Sequence, residues 1–438
     1  MKNELHLKLP AVDLKLGMHV VELDRPWLET DFLIQGFIVQ DQQEIDAFIR
    51  QCDYVYIAGK PMPKAQESER RNEKKGLFSR QTKDASKQKT SKQKTSEHQC
   101  RTPPSVEKKL TYINKITIEK EIAVAQSTYT DSKNVAKNIM DGIRIGRMLD
   151  MNQARESVDD IVDSILRNNN ALVWLTKVKD KDEYTAEHSL NVCILSIAFA
   201  RHLGHDEEDI RKIGLGALLH DVGKSKVPEH ILNKPGRFTD EEFEIMKQHP
   251  THGRNLLASL PQSDHAAIDI AYSHHERIDG KGYPRGLKPH QIPYFAKIIA
   301  LTDTYDAITS SRCYDNGRAS MNALDIIYQN KGSQFDEELA IEFIKCIGIY
   351  PPGSIVELNT GHVGIVIAEN AKSKLKPRII IVMGPNKKWV NERIVDLGKD
   401  TENTQSPQLA IAREVPNGTH GIDINTFIKK GLKLQLTK

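Results

Sequence analysis

The sequence predicts a multi-domain protein: a mainly α-helical central domain, a small α/β N-terminal domain and a small β-rich C-terminal module. Three observations predict it. Between about residues 150 and 348, apolar residues recur at three- and four-residue spacing. After Pro351-Pro352-Gly353 the period drops to two. Before residue 61, short runs rich in Val, Ile and Phe flank one helical segment. At 438 residues the chain is also too long for one ordinary domain.

Residues 1–60 form the α/β unit. Met18–Leu23, Phe32–Val39 and Cys52–Ile57 read as strands, and Asp41 with Glu44 makes a capping box that opens a helix. Residues 61–109 hold few large apolar side chains and a tandem pentamer, Ser86–Thr90 repeated as Ser91–Thr95. Such a stretch buries too little apolar surface to offset its ordering entropy and reads as a flexible linker. It carries 14 Lys+Arg against 6 Asp+Glu. The formal charge of +3 therefore hides a linker of +8 and a remainder of −5. Residues 110–149 read as a helical connector, a single helix or a hairpin. Within 150–348, helices are predicted at Val158–Leu166, Glu187–Leu203, Asp209–Leu219, Glu241–Leu260, Ile268–His275 and Phe295–Thr309, with a capping box at Thr239 and Glu242. Residues 349–438 form the β-rich module, with strands at Ser354–Leu358, His362–Ala368 and Arg378–Val382.

Composition narrows the function classes. Near-neutral charge and 6% aromatics argue against a nucleic-acid coat, a single-strand stacking platform or a transmembrane barrel. The five cysteines, Cys52, Cys100, Cys193, Cys313 and Cys346, are scattered without C-x-x-C spacing, which suits reduced thiols. Met1–His6 lacks the apolar core of a signal peptide, and no run approaches the ~20 apolar residues of a membrane span. The expectation is a cytoplasmic protein without membrane or DNA partners.

Histidine placement carries the chemistry. Ten of sixteen histidines fall between His188 and His275, against about three for an even spread. A lone histidine is more often a satisfied structural side chain than a ligand. Here, however, His220-Asp221 and His274-His275 are adjacent pairs, and Val222-Gly223-Lys224 supplies a turn that lets two neighbours reach one centre. Asp303 lies within an apolar helix, which is costly unless the carboxylate is paired or metal-bound. An Asp can bridge two cations while imidazoles fill other positions. Nitrogen and oxygen donors without thiolate suit Fe, Mn, Zn or Ni. Lys224 lies three residues past Asp221, where its point charge can meet a phosphate oxygen.

The ordered set His188, His220-Asp221-Val-Gly-Lys224, His249-x-x-x-Gly253, His274-His275-Glu276, Gly282-Tyr283-Pro284 and Asp303-x-x-Asp306 resembles the HD-GYP family of bacterial cyclic-dinucleotide phosphodiesterases. The resemblance covers residues 150–348, and the N-terminal block looks like a small domain of unknown function often found upstream of such domains. It implies two divalent metal ions, usually Fe or Mn, with Zn or Ni as alternatives. His188, His220, Asp221 and Asp303 would hold one, and Asp221 would bridge to a second held by His249, His274 and His275. A bridging hydroxide activated by both would open a 3′–5′ phosphodiester of cyclic di-GMP or 3′,3′-cyclic GMP-AMP to a linear dinucleotide. Lys224 would contact the scissile phosphate, and Arg312 would clamp phosphate or guanine. Asp306 and the Gly-Tyr-Pro turn would be orienting or scaffold groups.

Two departures bear on this. Tyr184 stands where some family members place a third-metal Glu, which favours a binuclear site. Arg312-Cys313-Tyr314-Asp315 replaces an Arg-Pro-Tyr-basic run, exchanging a cation for an anion near the base-binding side. A nucleotide phosphohydrolase of the wider HD superfamily is disfavoured by the Gly-Tyr-Pro loop and by His274-His275. The alternative from another class is a catalytically silent receptor, or a docking module whose Gly-Tyr-Pro loop binds a diguanylate cyclase-type partner. Retention of every binuclear ligand argues against it. A homodimer is a further expectation.

Overall fold

The computed structural model describes residues 6–24, 37–39, 42–58, 109–177, 184–261, 263–310, 320–370, 373, 375–399, 409–422, 424 and 427. It divides into two compact units, residues 1–99 and 100–438.

The first unit contains β1 (His6–Pro10), β2 (His19–Leu23), β3 (Phe37–Ile38), α1 (Gln42–Gln51) and β4 (Tyr54–Ala58). Its sheet runs β1-β4-β2-β3 and is antiparallel throughout. Val20, Val55 and, from α1, Ile45 and Phe48 fill the core. β1 was not predicted: its Leu7-Lys8-Leu9 alternation is too short to stand out, and Leu7 is 58% exposed. Its register with Tyr54–Ala58 is what holds it. The predicted start of the Phe32–Val39 strand, the Asp41 cap and nearly all of the 61–109 linker lie outside the described residues.

The second unit opens with α2 (Ile118–Arg144), so the connector is one long helix, not a hairpin. Then come α3 (Met151–Arg167), α4 (Asn169–Leu175), α5 (Tyr184–Leu203), α6 (Glu207–Leu219), a 3-10 turn at Val222–Lys226, α7 (Glu229–Leu232), α8 (Asp240–Met246), α9 (His249–Ala258), α10 (His265–Ser273), α11 (Tyr294–Thr309), α12 (Ser320–Gln329) and α13 (Glu337–Ile347). Helix starts follow the expected capping chemistry. Asp150, Asp206, Asp264 and Asp336 each accept first-turn N–H bonds, and the Thr239–Glu242 box is formed. Leu190, Ile194 and Ile197 place α5 in the core, with α6 and α11 packed against it.

One predicted helix, Glu241–Leu260, is in fact two. Pro250 lacks an N–H, and its ring would clash with the carbonyl four residues back, that of Met246. The chain breaks at Lys247-Gln248, and the Met246 carbonyl instead accepts a bond from His249 Nδ1 at 2.7 Å. The proline thus both ends α8 and orients a histidine.

The C-terminal sheet comprises β5 (Ile355–Leu358), β6 (Val363–Ala368), β7 (Arg378–Met383), β8 (Trp389–Asp396) and β9 (Ile411–Val415), ordered β8-β7-β6-β5-β9 and antiparallel. The sequence did not predict β8 and β9; both are edge strands with exposed, charged residues. The sheet is fastened to the helices. Glu414 of β9 accepts from Ser354 Oγ at 2.8 Å and from the Met321 N–H in α12 at 3.3 Å. Arg378 of β7 pairs with Glu119 of α2 at 3.0 Å. Gly353, with φ of +88°, lies so close to Trp174 of α4 that a Cβ there would stand 3.0 Å from the indole nitrogen. Among the described residues, no helix is long and apolar enough to cross a membrane.

Candidate metal centre

Five helices converge on Asp221. His220 follows the last residue of α6, Asp221 precedes the 3-10 turn, and both are completely buried. His188 is the fifth residue of α5, one turn deeper than expected, and His249 is the first of α9. His274 and His275 follow α10, and Asp303 lies in α11. Asp221 divides its oxygens between two sets of donors. Oδ2 faces His220 Nε2 at 3.3 Å and His188 Nε2 at 3.8 Å, while Oδ1 faces His249 Nε2 at 3.3 Å and His274 Nε2 at 3.8 Å. Asp303 Oδ1 lies 3.0 Å from His188 Nε2 and 4.0 Å from His220 Nε2; its Oδ2 lies 4.0 Å from His275 Nδ1. His188, His220 and Asp303 offer ligand atoms within 4.8 Å of one another, as do His249, His274 and His275, and also His220, Asp221 and His274.

The donors fit divalent metal. Asp221 Oδ1 and His220 Nε2 are buried without a hydrogen-bond partner among the described residues, a costly state for polar atoms unless a cation completes them. His220 Nδ1 contacts the Ala217 carbonyl at 2.6 Å, and His274 Nδ1 contacts the Ile270 and Ala271 carbonyls at 3.2 and 3.1 Å. With His249 on Met246, three imidazoles are thus held by helix-end carbonyls that leave each Nε2 lone pair for the centre. Burial lowers the His274 imidazole and lowers His249 and His275 to about 3, keeping them neutral as ligands must be. His275 is the most accessible, with 26% of its side chain exposed. Burial pushes the Asp221 carboxyl up, but His220 and Lys224 outweigh it and hold it well below the usual carboxylate range. Asp303 is likewise raised by burial but lowered further by its bond to His188.

Asp306 accepts from His188 Nδ1 at 2.8 Å and from Ser310 Oγ at 3.0 Å. It fixes His188 from behind while Asp303, one helical turn earlier, meets the other ring nitrogen. Asp306→Asn should lower metal affinity by about 10–100-fold, the usual cost of losing a partner behind a ligand. Titration of the metal-free protein with Mn(II) would read this, and unchanged affinity would remove Asp306 from the centre.

Lys224 Nζ lies 2.5 Å from Asp221 Oδ2 and is partly exposed. Arg312 lies outside the described residues. The Gly-Tyr-Pro turn packs against the centre: the Tyr283 ring lies 4.7 Å from that of His275, the Tyr283-Pro284 peptide is cis, and burial raises the phenol. Gly282 is required, because a Cβ there would stand 2.6 Å from the His275 carbonyl oxygen. Sequence reasoning left Glu276 without a role. Its buried carboxylate accepts the Arg285 and Leu287 N–H groups at 2.8 and 2.9 Å, folding the loop back over the site. Phe243 and Lys247, not singled out by their spacing, line a cavity with His274, His275 and Tyr283.

The HD domain family matches residues 172–339, and a domain of unknown function, DUF3391, matches residues 6–154. Fold and site together define an HD-domain protein, a metal-binding class. A Pseudomonas aeruginosa protein named as a cyclic di-GMP phosphodiesterase is 39% identical over 286 residues, covering 65% of this chain and 69% of that protein. A cyclic di-GMP phosphodiesterase of Thermotoga maritima is 41% identical over 166 residues, 38% of this chain and 45% of that one. The 3′3′-cGAMP-specific phosphodiesterase 1 of Vibrio cholerae is 35% identical over 163 residues, 37% of each chain. The chain belongs to the HD-GYP family.

Proposed function

We propose that this chain hydrolyses a 3′–5′ phosphodiester of a cyclic dinucleotide, cyclic di-GMP or 3′,3′-cyclic GMP-AMP, to a linear dinucleotide. One observation carries the reading: the two oxygens of Asp221 face separate imidazole sets, and Oδ1 has no hydrogen-bond partner among the described residues. The names of the relatives support the substrate class. His188, His220, Asp303 and Asp221 Oδ2 would hold one divalent ion; His249, His274, His275 and Asp221 Oδ1 would hold a second. The nitrogen and oxygen donors suit Fe or Mn, with Zn or Ni as alternatives. Such ions acidify a water and offset charge growing on the phosphoryl oxygens. Lys224, beside Oδ2 and partly exposed, supplies a point charge to a phosphate oxygen. Asp306 and the helix-end carbonyls hold the imidazoles in their ligating tautomer.

The protein loaded with Fe or Mn, its metal counted per chain, should turn over at least one of the two cyclic dinucleotides, followed by chromatography. Tight binding of both by a metal-loaded sample, with turnover of neither, would make it a receptor.

A further inference from the structure

A cavity of about 350 Å³ opens beside the metal centre, reached across His274 and His275. Three rings run outward along it. Tyr283 lies tilted by 30° over His275 at 4.7 Å, and Phe243 meets Tyr283 edge-on at 6.3 Å. Phe243 is 44% exposed, so its ring is open to solvent beside the imidazoles of the centre. The Lys247 ammonium stands 5.1 Å above the Phe243 ring. Lys247 is paired with Glu244, whose side chain is 66% exposed, so the pairing is solvated and weak. Arg277, by contrast, is committed to Asp279 at 2.7 and 3.0 Å and to Gln334 at 3.2 Å.

We propose that this cavity seats the nucleotide half whose phosphodiester is not being cut, with its base against Phe243 and Tyr283 and its phosphate by Lys247. The inference rests on the function proposed above and assigns a specificity site within it. A cyclic dinucleotide brings two bases and two phosphates. With one phosphate at Asp221 and Lys224, the second nucleotide must lie alongside, and this cavity adjoins the His249, His274 and His275 side. Aromatic faces take any base by stacking, and a lysine takes phosphate as a point charge. The cavity is therefore a site for nucleotide shape and charge, tolerant of which purine it holds.

The test compares cyclic di-GMP with methyl p-nitrophenyl phosphate, a diester with no second nucleotide, on Mn-loaded full-length protein. Phe243→Ala should raise KM for cyclic di-GMP about tenfold, within the range that stacking one base gives on alanine substitution. It should lower kcat far less, so the preference for cyclic di-GMP over the simple diester falls about tenfold. Lys247→Met should do the same and also flatten the salt dependence of KM, and Phe243→Tyr should restore the wild-type preference. An unchanged preference in both Phe243→Ala and Lys247→Met overturns the inference, as does an equal loss on both substrates. Wild-type protein that cleaves only the simple diester would overturn the proposed function instead. Equilibrium binding of cyclic di-GMP then decides the cavity, and a Kd unaltered by Phe243→Ala rejects it.

Discussion

Asp221→Ala is expected to lose cyclic-dinucleotide turnover by at least about a thousandfold and to carry less metal per chain. Removing a single group that stabilises a transition state already costs about 10²–10³. Asp221 does more than that, because each of its oxygens faces a different set of imidazoles. Without it, His249 and His274 lose the carboxylate that relates them to His188 and His220. Metal analysis and chromatography on one preparation would check both losses. Activity surviving at full metal content would sink the assignment. Lys224→Ala supplies the contrast: it leaves every metal donor in place and should reduce turnover without emptying the centre.

The second large effect is expected at a residue with no side chain. Gly223 packs on the start of α9, and a Cβ there would overlap the His249 carbonyl oxygen and the Gly253 nitrogen and stand 3.0 Å from Gly253 Cα. These are backbone atoms, so the turn itself would have to move away from α9, taking Asp221 from His249. Gly223→Ala should destabilise the protein by about 1–3 kcal/mol, the usual range for overpacking, and weaken metal retention with it. Gly253→Ala should be milder. Its Cβ would meet Gly223 N at 3.4 Å and Ala271 Cβ at 3.6 Å, ordinary contact distances. Denaturant unfolding of the two variants should rank them in that order, and equal stability would show that the turn yields freely.

Much of the candidate centre was legible because several of its candidate ligands sit at helix ends in adjacent pairs. His220-Asp221 and His274-His275 each follow an apolar helix, where the chain turns and two neighbours can face one point. Asp303 stood out as a carboxylate among apolar neighbours. The other features depend on partners remote in sequence. Glu276 acts on N–H groups nine and eleven residues later, which no local spacing encodes. The break before α9 was hidden because Pro250 is tolerated in a first helical turn and the apolar spacing continues through it. The strands β8 and β9 lack a clean alternation, and that of β1 spans only Leu7-Lys8-Leu9; all three are held by their neighbours' ladders. Phe243 and Lys247 read as an ordinary amphipathic helix until the fold set them beside Tyr283.

The fastening of the C-terminal sheet bears on how the helical core could be moved between proteins. A cut after residue 348 would take away the Glu414 carboxylate that accepts the Met321 N–H, uncover Trp174 and leave Glu119 without Arg378. Lys177, at the end of that uncovered segment, donates to Ser320 in α12 and to Tyr305, which lies between Asp303 and Asp306 on α11. The sheet therefore acts as a buttress to the helices that carry the chemistry. A graft of this core into another chain has to bring its β-strands along, and the helical stretch alone is a poor cassette.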